Sequence, residues 1–429
     1  IGVTRPEIVD GVRGPLGPRA FVRGARVRQQ RKRSTVQDNI EDTGFAAEAQ
    51  AMPRDRLEAW ITLANAELPG RVLDALLREF GDDPLLALAA SDKELSEVAE
   101  LHARHAARIR DTGLAAGPKQ VDWLIEQGAS VLWTRHPDYP KLLGLSPDPP
   151  PLLFVRGKLI EKDRFAVGIV GSRRSTHYGR AIAERFAREL TEYGLTVVSG
   201  GAIGIDTAAH SGAINAGGRT LAVLGCGLNI DYPRQNRSLF QQIPEQGALI
   251  SEYPPDVQPY SWRFPARNRI ISGLSEGVLV VEAPHASGAL ITARFAVEQG
   301  RPVMAIPGNI DRSSSSGTND LLKDGAILIT ETADILHALG MVLAPARPEH
   351  QASLDLVDPE GVLQNGRRSV ERSPSQMKLL SALSLTPRHI DSIAAEAGIA
   401  SVEAGIEMTM MELSGLVRRL PGNTYIRTL

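Results

Sequence analysis

Several features that would assign this sequence to a specialised class are absent or scarce. The 429 residues include a single cysteine, Cys226, which excludes an internal disulfide and a cysteine-based zinc site and fits a reducing compartment such as the cytoplasm. No run of about 18 apolar residues occurs, so the sequence predicts no transmembrane helix and no membrane partner. The formal net charge is only -2, so any basic nucleic-acid site must be local.

The first third of the chain is predicted to contain a tail, a helical domain and a connecting segment. Residues 1–50 hold an arginine-rich stretch with no apolar run behind it, which indicates a disordered tail rather than a secretory signal. A nucleic-acid-binding arm is the alternative. Apolar residues recur at helical spacing over 51–120, which predicts a small all-helical domain. Residues 121–154 combine a short strand with a proline-rich corner, which indicates a connecting segment.

Strands and helices alternate over residues 155–340. Six short runs are apolar and rich in β-branched residues: Phe165–Val170, Leu195–Ser199, Thr220–Leu224, Ala248–Ser251, Val278–Glu282 and Val303–Ile306. Helical patterns separate these runs. Continuous apolar strands between helices are typical of a parallel sheet covered on both faces, so we expect a doubly wound α/β domain.

Two further segments complete the chain. Residues 341–373 are polar and aperiodic, which predicts a linker. Residues 374–429 contain three short helical patterns followed by two strands around a turn, which is the order of a winged helix. The third pattern, Val402–Leu413, contains three glutamates and no lysine or arginine, whereas a helix that enters the major groove is normally basic or polar. We therefore expect this module to contact protein more than duplex DNA.

The loops that follow the predicted strands are the expected ligand site. In open α/β sheets, ligands bind there because helix N-termini offer free N–H groups and glycines allow close approach. The loops after the first, second and sixth strands contain Gly171, Ser172, Arg173 and Arg174, then Ser199, Gly200 and Gly201, then Gly308 and Asn309. We predict that these residues bind phosphate.

A segment between the fourth and fifth predicted strands interleaves aromatic and cationic residues. It contains Tyr260, Trp262 and Phe264 together with Arg263, Arg267, Asn268 and Arg269. Guanidinium groups pair with phosphates and aromatic faces stack on unpaired bases, so the combination favours a single-strand groove over a pocket for one phosphate. The alternative is that Trp262 and Phe264 are core residues and the arginines form a solvated face.

Other phosphate-binding and catalytic motifs fail in detail. A dinucleotide site needs G-x-G-x-x-G after the first strand and an acidic residue after the second, and no P-loop sequence occurs. The G-x-S-x-G match at 273–277 precedes a strand instead of following one, which excludes a nucleophile elbow. Asp206 and His210 lie one helical turn apart and could form an acid–base pair, but a structural contact between them is the favoured interpretation.

Five segments together resemble one known family. GIVGSRRST (168–176), SGGAIGIDTAAH (199–210), GCGLNIDYPRQN (225–236), FPARNRIISGLS (264–275) and IPGN (306–309) are similar, in order and spacing, to the DNA-processing protein A family, also called DprA or Smf. The resemblance implies a Rossmann-like domain between a sterile-alpha-motif-like helical domain and a winged helix. It also implies a protein without enzymatic activity, cofactor or metal that binds single-stranded DNA, forms a homodimer through the Rossmann-like domain and helps to load the RecA recombinase during natural transformation or recombination.

The same resemblance assigns residues to the DNA site. Ser172 and Arg173 would contact backbone phosphate, and Gly200 and Gly201 would form the floor. Further contacts would come from Arg267, Asn268, Arg269 and Asn309.

Two rival functions remain open at this point. A nucleotide-processing enzyme similar to the phosphoribohydrolases would use P-G-G-x-G-T-x-x-E, but the corresponding stretch at 307–311 lacks the Gly-Thr pair and the glutamate. Glu282 is the obvious acidic substitute, and we expect it to accept hydrogen bonds from backbone N–H groups instead. A pure scaffold with vestigial phosphate loops is the second rival, and the arginines at the loop ends argue against it.

Overall fold

The computed structural model describes residues 52–112, 117–341, 373–384, 386–413, 416–420 and 422–427. The predicted tail at 1–50 lies outside the described residues, as does nearly all of the predicted linker at 341–373. Within the described ranges, no helix combines the length and the apolar character needed to cross a membrane.

Six short helices precede the sheet within the described part of the chain. They are α1 (Arg54–Asn65), α2 (Gly70–Glu79), α3 (Pro84–Ala89), α4 (Asp92–Glu97), α5 (Ala103–Thr112) and α6 (Pro118–Glu126). Local caps set two of their starts, because the Asp83 side chain accepts a hydrogen bond at the start of α3 and Ser91 forms a capping box with Glu94 at the start of α4. Trp60 of α1 stacks on Trp133 at a centroid distance of 4.9 Å, so the helices pack directly against the sheet.

A nine-stranded sheet follows in the described chain. Its strands are β1 (Ser130–Trp133), β2 (Leu152–Gly157), β3 (Ala166–Val170), β4 (Thr196–Ser199), β5 (Thr220–Leu224), β6 (Ala248–Ser251), β7 (Gly277–Val280), β8 (Val303–Ala305) and β9 (Ile327–Leu328). The order is β1-β2-β6-β5-β4-β3-β7-β8-β9, and β2 pairs antiparallel with both of its neighbours while the other pairings are parallel. The predicted α/β class with a mostly parallel, doubly wound sheet is confirmed.

The first two strands correct the predicted connecting segment at 121–154. β1 and the first half of β2 lie in that segment, yet both strands belong to the sheet, and β2 pairs with β6 through contacts such as Val155 with Ile250. A proline-rich corner precedes β2, and its partner strand is distant in sequence, so local pattern did not indicate the pairing. The sheet therefore begins at Ser130 rather than after residue 155.

Helices cover both faces of the sheet. One face packs against α7 (Lys141–Gly144), α11 (Arg263–Gly273), α12 (Gly288–Glu298) and α13 (Ser316–Lys323). The opposite face packs against α8 (His177–Glu192), α9 (Ile205–Asn215), α10 (Arg237–Gln246), α14 (Thr332–Ala338) and the helices α1 to α6. This layering leaves the loops at the carboxyl ends of the parallel strands open.

The predicted winged helix is confirmed at the end of the chain. It comprises α15 (Pro374–Ala382), β10 (Arg388–His389), α16 (Ile390–Ala397), α17 (Ser401–Leu413), β11 (Val417–Leu420) and β12 (Thr424–Arg427). The strands pair in the order β10-β12-β11. A separate core that includes Leu379, Ile393 and Met408 holds the three helices on the sheet.

Candidate nucleic-acid interface

Two loops meet at the carboxyl ends of β3 and β4. The Ile205 amide, at the end of the second loop, donates to the Ser172 carbonyl oxygen of the first at 3.3 Å. Gly204 adopts φ +91°, and a Cβ there would lie 2.4 Å from that carbonyl oxygen, so the contact requires glycine. The Ser172 amide donates to the Glu282 carbonyl oxygen at 2.7 Å, which ties the first loop to the chain after β7. The first and second predicted loops thus form one surface.

A small pocket opens between these loops and the start of α11. It has a volume of about 80 Å³, and the predicted site residues in its lining are Arg173, Gly200, Gly201, Phe264 and Arg267. Pockets that enclose a drug-sized ligand measure roughly 300–1,000 Å³. The pocket is therefore too small to enclose a nucleotide, and it fits a single group of a ligand that lies across its mouth.

Arg173 lies exposed at this mouth, against an aromatic ring. Its guanidinium carbon is 5.2 Å from the centroid of the Phe264 ring, and Tyr232 lies beside Phe264 at a centroid distance of 5.4 Å. Among the described residues, neither Arg173 nor its exposed neighbour Arg174 forms an ion pair. Cations without acidic partners are available to pair with phosphate.

Arg267 lies beneath the pocket rather than at its mouth. It is 4% exposed, and its Nη1 donates to the carbonyl oxygens of Gly200, at 2.6 Å, and of Val223. Burial lowers the pKa of Arg267 to about 10, against the attraction of Asp206. Burial also raises the pKa of Asp206, against the attraction of Arg267. Arg267 therefore anchors the glycine loop and adds positive charge below it.

Other buried polar groups support the loops from below. The Ser172 hydroxyl accepts from the Arg174 amide at 3.1 Å, which shapes the turn after Gly171. The Ser199 hydroxyl is fully buried and donates to the Ile169 carbonyl oxygen at 2.6 Å, so it cannot face a ligand as predicted. The structure places Ser199 in the sheet beneath the site.

Asn236 is a supporting residue that the sequence analysis missed. Its side-chain Nδ2 donates to the Gly201 carbonyl oxygen at 2.9 Å, and the residue is buried. Both Asn236 and the pocket residue Tyr232 belong to the segment at 225–236 that carried part of the family resemblance. That motif was the available signal, although local sequence did not show which of its residues would face the loops.

Arg269 and Asn268 point away from the pocket. Arg269 pairs with Glu252 at 2.6 Å and with Asp148 at 3.0 Å. Burial opposes its charge, but hydrogen bonds and ion pairing with these carboxylates outweigh burial and raise the pKa of Arg269. Asn268 donates to the Gly288 carbonyl oxygen at 3.1 Å at the start of α12. Because α11 is a helix, consecutive residues face different directions, and only Arg267 of the three lines the pocket.

Gly308 and Asn309 are also outside the pocket lining. They follow β8, which is separated from β3 by β7. The Gly308 amide and carbonyl oxygen bond to the side chain of Asn319 at 3.1 and 3.0 Å, and the Asn309 side chain accepts from the Asp311 amide at 2.9 Å. Their loop lies at the same edge of the sheet, and these groups are bonded within the protein.

The three predicted stacking residues separate into two sets. Phe264 lines the pocket, whereas Tyr260 and Trp262 surround the guanidinium of buried Arg263 at 5.1 and 4.8 Å. Trp262 is 61% exposed, so it is not a core residue either. Base stacking remains a prediction, and Phe264 with Tyr232 are the rings in position for it.

The candidate catalytic groups have structural partners. His210 is fully buried and bonds Thr220 Oγ1 at 2.6 Å, while Asp206 accepts from a loop amide, so the two do not form an acid–base pair. Glu282 Oε2 accepts from the Thr176 amide at 2.8 Å, which agrees with the expectation that it bonds backbone N–H groups.

The fold and the candidate site define a class of protein: a Rossmann-like α/β protein with an attached winged helix. Its loops after β3 and β4, here called the glycine loops, border a small pocket with an exposed arginine. The sequence matches the family model described as DNA recombination-mediator protein A over residues 130–340, and that of the DprA winged helix domain over residues 366–423. The chain therefore belongs to the DprA family of DNA recombination mediators, as the resemblance predicted.

Several relatives are similar over most of this chain. Protein Smf of Synechocystis sp. is 39% identical over 322 residues, which cover 70% of this chain and 81% of the relative. A putative DNA processing protein DprA of Mycobacterium tuberculosis is 34% identical over 385 residues, which cover 86% of this chain and 94% of the relative. The X-ray structure of DprA from Streptococcus pneumoniae aligns with a TM-score of 0.57 at 37% identity, over 65% of this chain and 97% of that one.

Proposed function

We propose that this protein binds single-stranded DNA across the two glycine loops and mediates recombination by helping to load a RecA-type recombinase, in natural transformation or related recombination. The observation that supports DNA binding best is Arg173, an exposed cation on the Phe264 ring beside the glycine loops. A guanidinium binds phosphate while a neighbouring aromatic ring stacks on a base, and this pairing suits unpaired nucleotides. The family's description as a recombination mediator supports the recombinase as partner.

Binding of a labelled oligonucleotide, followed by fluorescence anisotropy, tests this proposal. We expect single strands to bind more tightly than duplex, with log affinity falling against log salt at a slope of about -0.7 per contacted phosphate. Arg173→Ala should weaken all single-stranded sequences by roughly 10- to 100-fold, since charged hydrogen bonds are worth about 1.5–3 kcal/mol. Arg294→Ala, which removes an exposed arginine of α12, is the matched control. No binding at low salt would refute the proposal.

We further infer that the protein acts without catalysis. The acidic residue that a phosphoribohydrolase-like mechanism would need, Glu282, is bonded to the first loop, and the buried His210 faces Thr220 instead of the pocket. Release of free base from nucleoside monophosphates would contradict this inference.

The edge of the sheet supports a homodimer through the Rossmann-like domain. β9 is the last strand of the sheet and pairs only with β8 among the described strands. Ile327 and Leu328 are 39% and 52% exposed there, which is unusual for apolar residues of a strand. An exposed apolar edge is a ready site for association with a second copy.

A further inference from the structure

A second and larger cleft lies between the Rossmann-like domain and the winged helix. It has a volume of about 510 Å³. One wall is formed by α8 and α9, and the other by the hairpin of β11 and β12. The arginines in its lining are Arg180, Arg185 and Arg188 from α8 and Arg418 and Arg427 from the hairpin.

Positive charge dominates this cleft. Against the five arginines, the described residues of the lining include one carboxylate, that of Glu184. Arg185 and Arg188 have acidic neighbours within α8. The other three arginines form no ion pair within the described residues, and Arg180 donates instead to the Ser175 carbonyl oxygen at 2.7 Å. Like charges on facing walls repel each other, so an anion between them would be bound by both.

His177 lies where the two walls of the cleft approach each other. Its Nε2 lies 3.5 Å from Arg418 Nη1, so a cation from the winged helix approaches the start of α8. Burial lowers the pKa of His177, and the charges of Arg418 and Arg180 lower it further. A neutral imidazole can accept a hydrogen bond from Arg418, which leaves the remaining guanidinium donors available to a ligand.

The cleft is continuous with the small pocket at the glycine loops. Ile203 lines both the small pocket and this cleft, and it is 40% exposed on the ridge between them. Gly204, the next residue, also lines the cleft at the N-terminus of α9. A chain of phosphates that lies across Arg173 would therefore reach the cleft by crossing one residue.

The winged helix contributes its hairpin to the cleft, and the described residues of α17 lie elsewhere. Glu403 and Glu407 of α17 accept hydrogen bonds from Ser375, at 2.7 Å, and Gln376, at 2.8 Å, which ties α17 to α15. Of the α17 residues that the structure describes, none lines the cleft. An acidic third helix is thus compatible with a module whose hairpin lines a cationic cleft.

We propose that a single strand of DNA bound at the glycine loops continues over Ile203 into the cleft between α8 and the β11–β12 hairpin. There, Arg180, Arg418 and Arg427 bind its phosphates. This inference rests on the proposed function and extends it, because the winged helix becomes part of the single-strand track through its hairpin. The winged helix would then lengthen the bound segment without reading duplex sequence.

Two oligothymidylates test the proposal on the full chain, one of about six nucleotides to occupy the loops and one of about twenty to reach the cleft. The double variant Arg418→Gln/Arg427→Gln should bind the longer oligonucleotide on the order of 10-fold more weakly, with a salt slope less steep by about 1.4. It should bind the shorter oligonucleotide with wild-type affinity. Arg419→Gln is the matched control, since Arg419 is exposed on the same hairpin and lies outside the cleft lining.

Arg180→Gln tests the opposite wall, so that misfolding of the winged helix cannot explain the result. This variant should also lose affinity for the longer oligonucleotide and keep wild-type affinity for the shorter one. Wild-type affinity of both variants for the longer oligonucleotide would overturn the cleft proposal while leaving the loop site intact. Failure of wild type to bind either oligonucleotide would refute the proposed function itself.

Discussion

Gly200 lies where the glycine loop passes over a buried charge pair. A Cβ built at this position would lie 2.7 Å from both Arg267 Nη2 and Asp206 Oδ2. Neither group can move away freely, because Arg267 is bonded to two carbonyl oxygens and Asp206 to a loop amide. The absence of a side chain here is what allows a charged group to support the loop so closely.

Gly200→Ala should therefore displace the loop and weaken single-strand binding. Overpacking of this kind costs about 1–3 kcal/mol, which urea denaturation of the purified variant would measure. Gly288→Ala is the control, because a methyl group there meets nothing within 4 Å. Wild-type stability and DNA affinity in Gly200→Ala would show that the loop is not fixed by this contact.

His210 gives the folded protein a specific sensitivity to acid. Burial, with the nearby Arg267 charge, lowers the pKa of His210 to about 3 in the folded state. The unfolded chain binds a proton near the ordinary pKa of about 6.5, so it gains protons first and stability falls as pH drops from about 6.5 towards 3. The His210 contribution between pH 7 and pH 5 is about 2 kcal/mol.

Unfolding measured at pH 7 and pH 5 for wild type and His210→Gln tests this expectation. The variant should lose less stability than wild type on acidification, because its side chain does not titrate. His285→Gln, at an exposed histidine, should behave as wild type. Equal acid sensitivity of wild type and His210→Gln would contradict the assignment.

At the scale of elements, β9 is an edge strand of the sheet that leaves apolar side chains exposed. Its exposed residues Ile327 and Leu328 lie next to β8 at the end of the sheet. Leu328→Lys should convert the proposed homodimer to a monomer, because it places a charge in an apolar interface. Analytical ultracentrifugation gives the mass, and Leu145→Lys, which changes an exposed leucine away from this edge, is the control. A mass that Leu328→Lys does not change would exclude β9 from the interface.

Elements with strong local patterns were predictable, and those defined by distant contacts were not. The bounds of β5 and β6 match the predicted runs, because buried parallel strands are continuous apolar segments. The helix α11 was not predicted, since its sequence mixes arginines, proline and apolar residues, with no clear amphipathic period. This helix determines which way the arginines of the cationic segment point, because it turns Arg267 towards the loops and Arg269 towards Glu252.

At the scale of the whole molecule, the N-terminal helices and the sheet share one hydrophobic core. Leu76 and Trp60 belong to the same buried cluster as Phe154 of β2 and Leu249 of β6. Gln120 also donates to a backbone carbonyl oxygen on the far side of this contact, at Pro255. The winged helix has its own core, so the described chain contains two packing units.

Leu76→Ala should consequently destabilise the helices and the sheet together. The loss of this fully buried leucine costs roughly 2–5 kcal/mol. Hydrogen exchange followed by mass spectrometry should show faster exchange in both the N-terminal helices and β5–β6, with no change in α15 to α17. Faster exchange confined to the N-terminal helices would show that they unfold independently of the sheet.

The sequence by itself determined the class of fold, the winged helix and the family, because apolar periodicity and glycine-loop motifs are local in the chain. It also indicated Arg173 and the glycines, which lie in short loops directly after strands. Only the tertiary structure decided which arginines face the pocket, that Asn236 and Tyr232 belong to the site, and that β1 and β2 extend the sheet. These features depend on side-chain direction and on contacts between segments far apart in the chain, which no local pattern specifies.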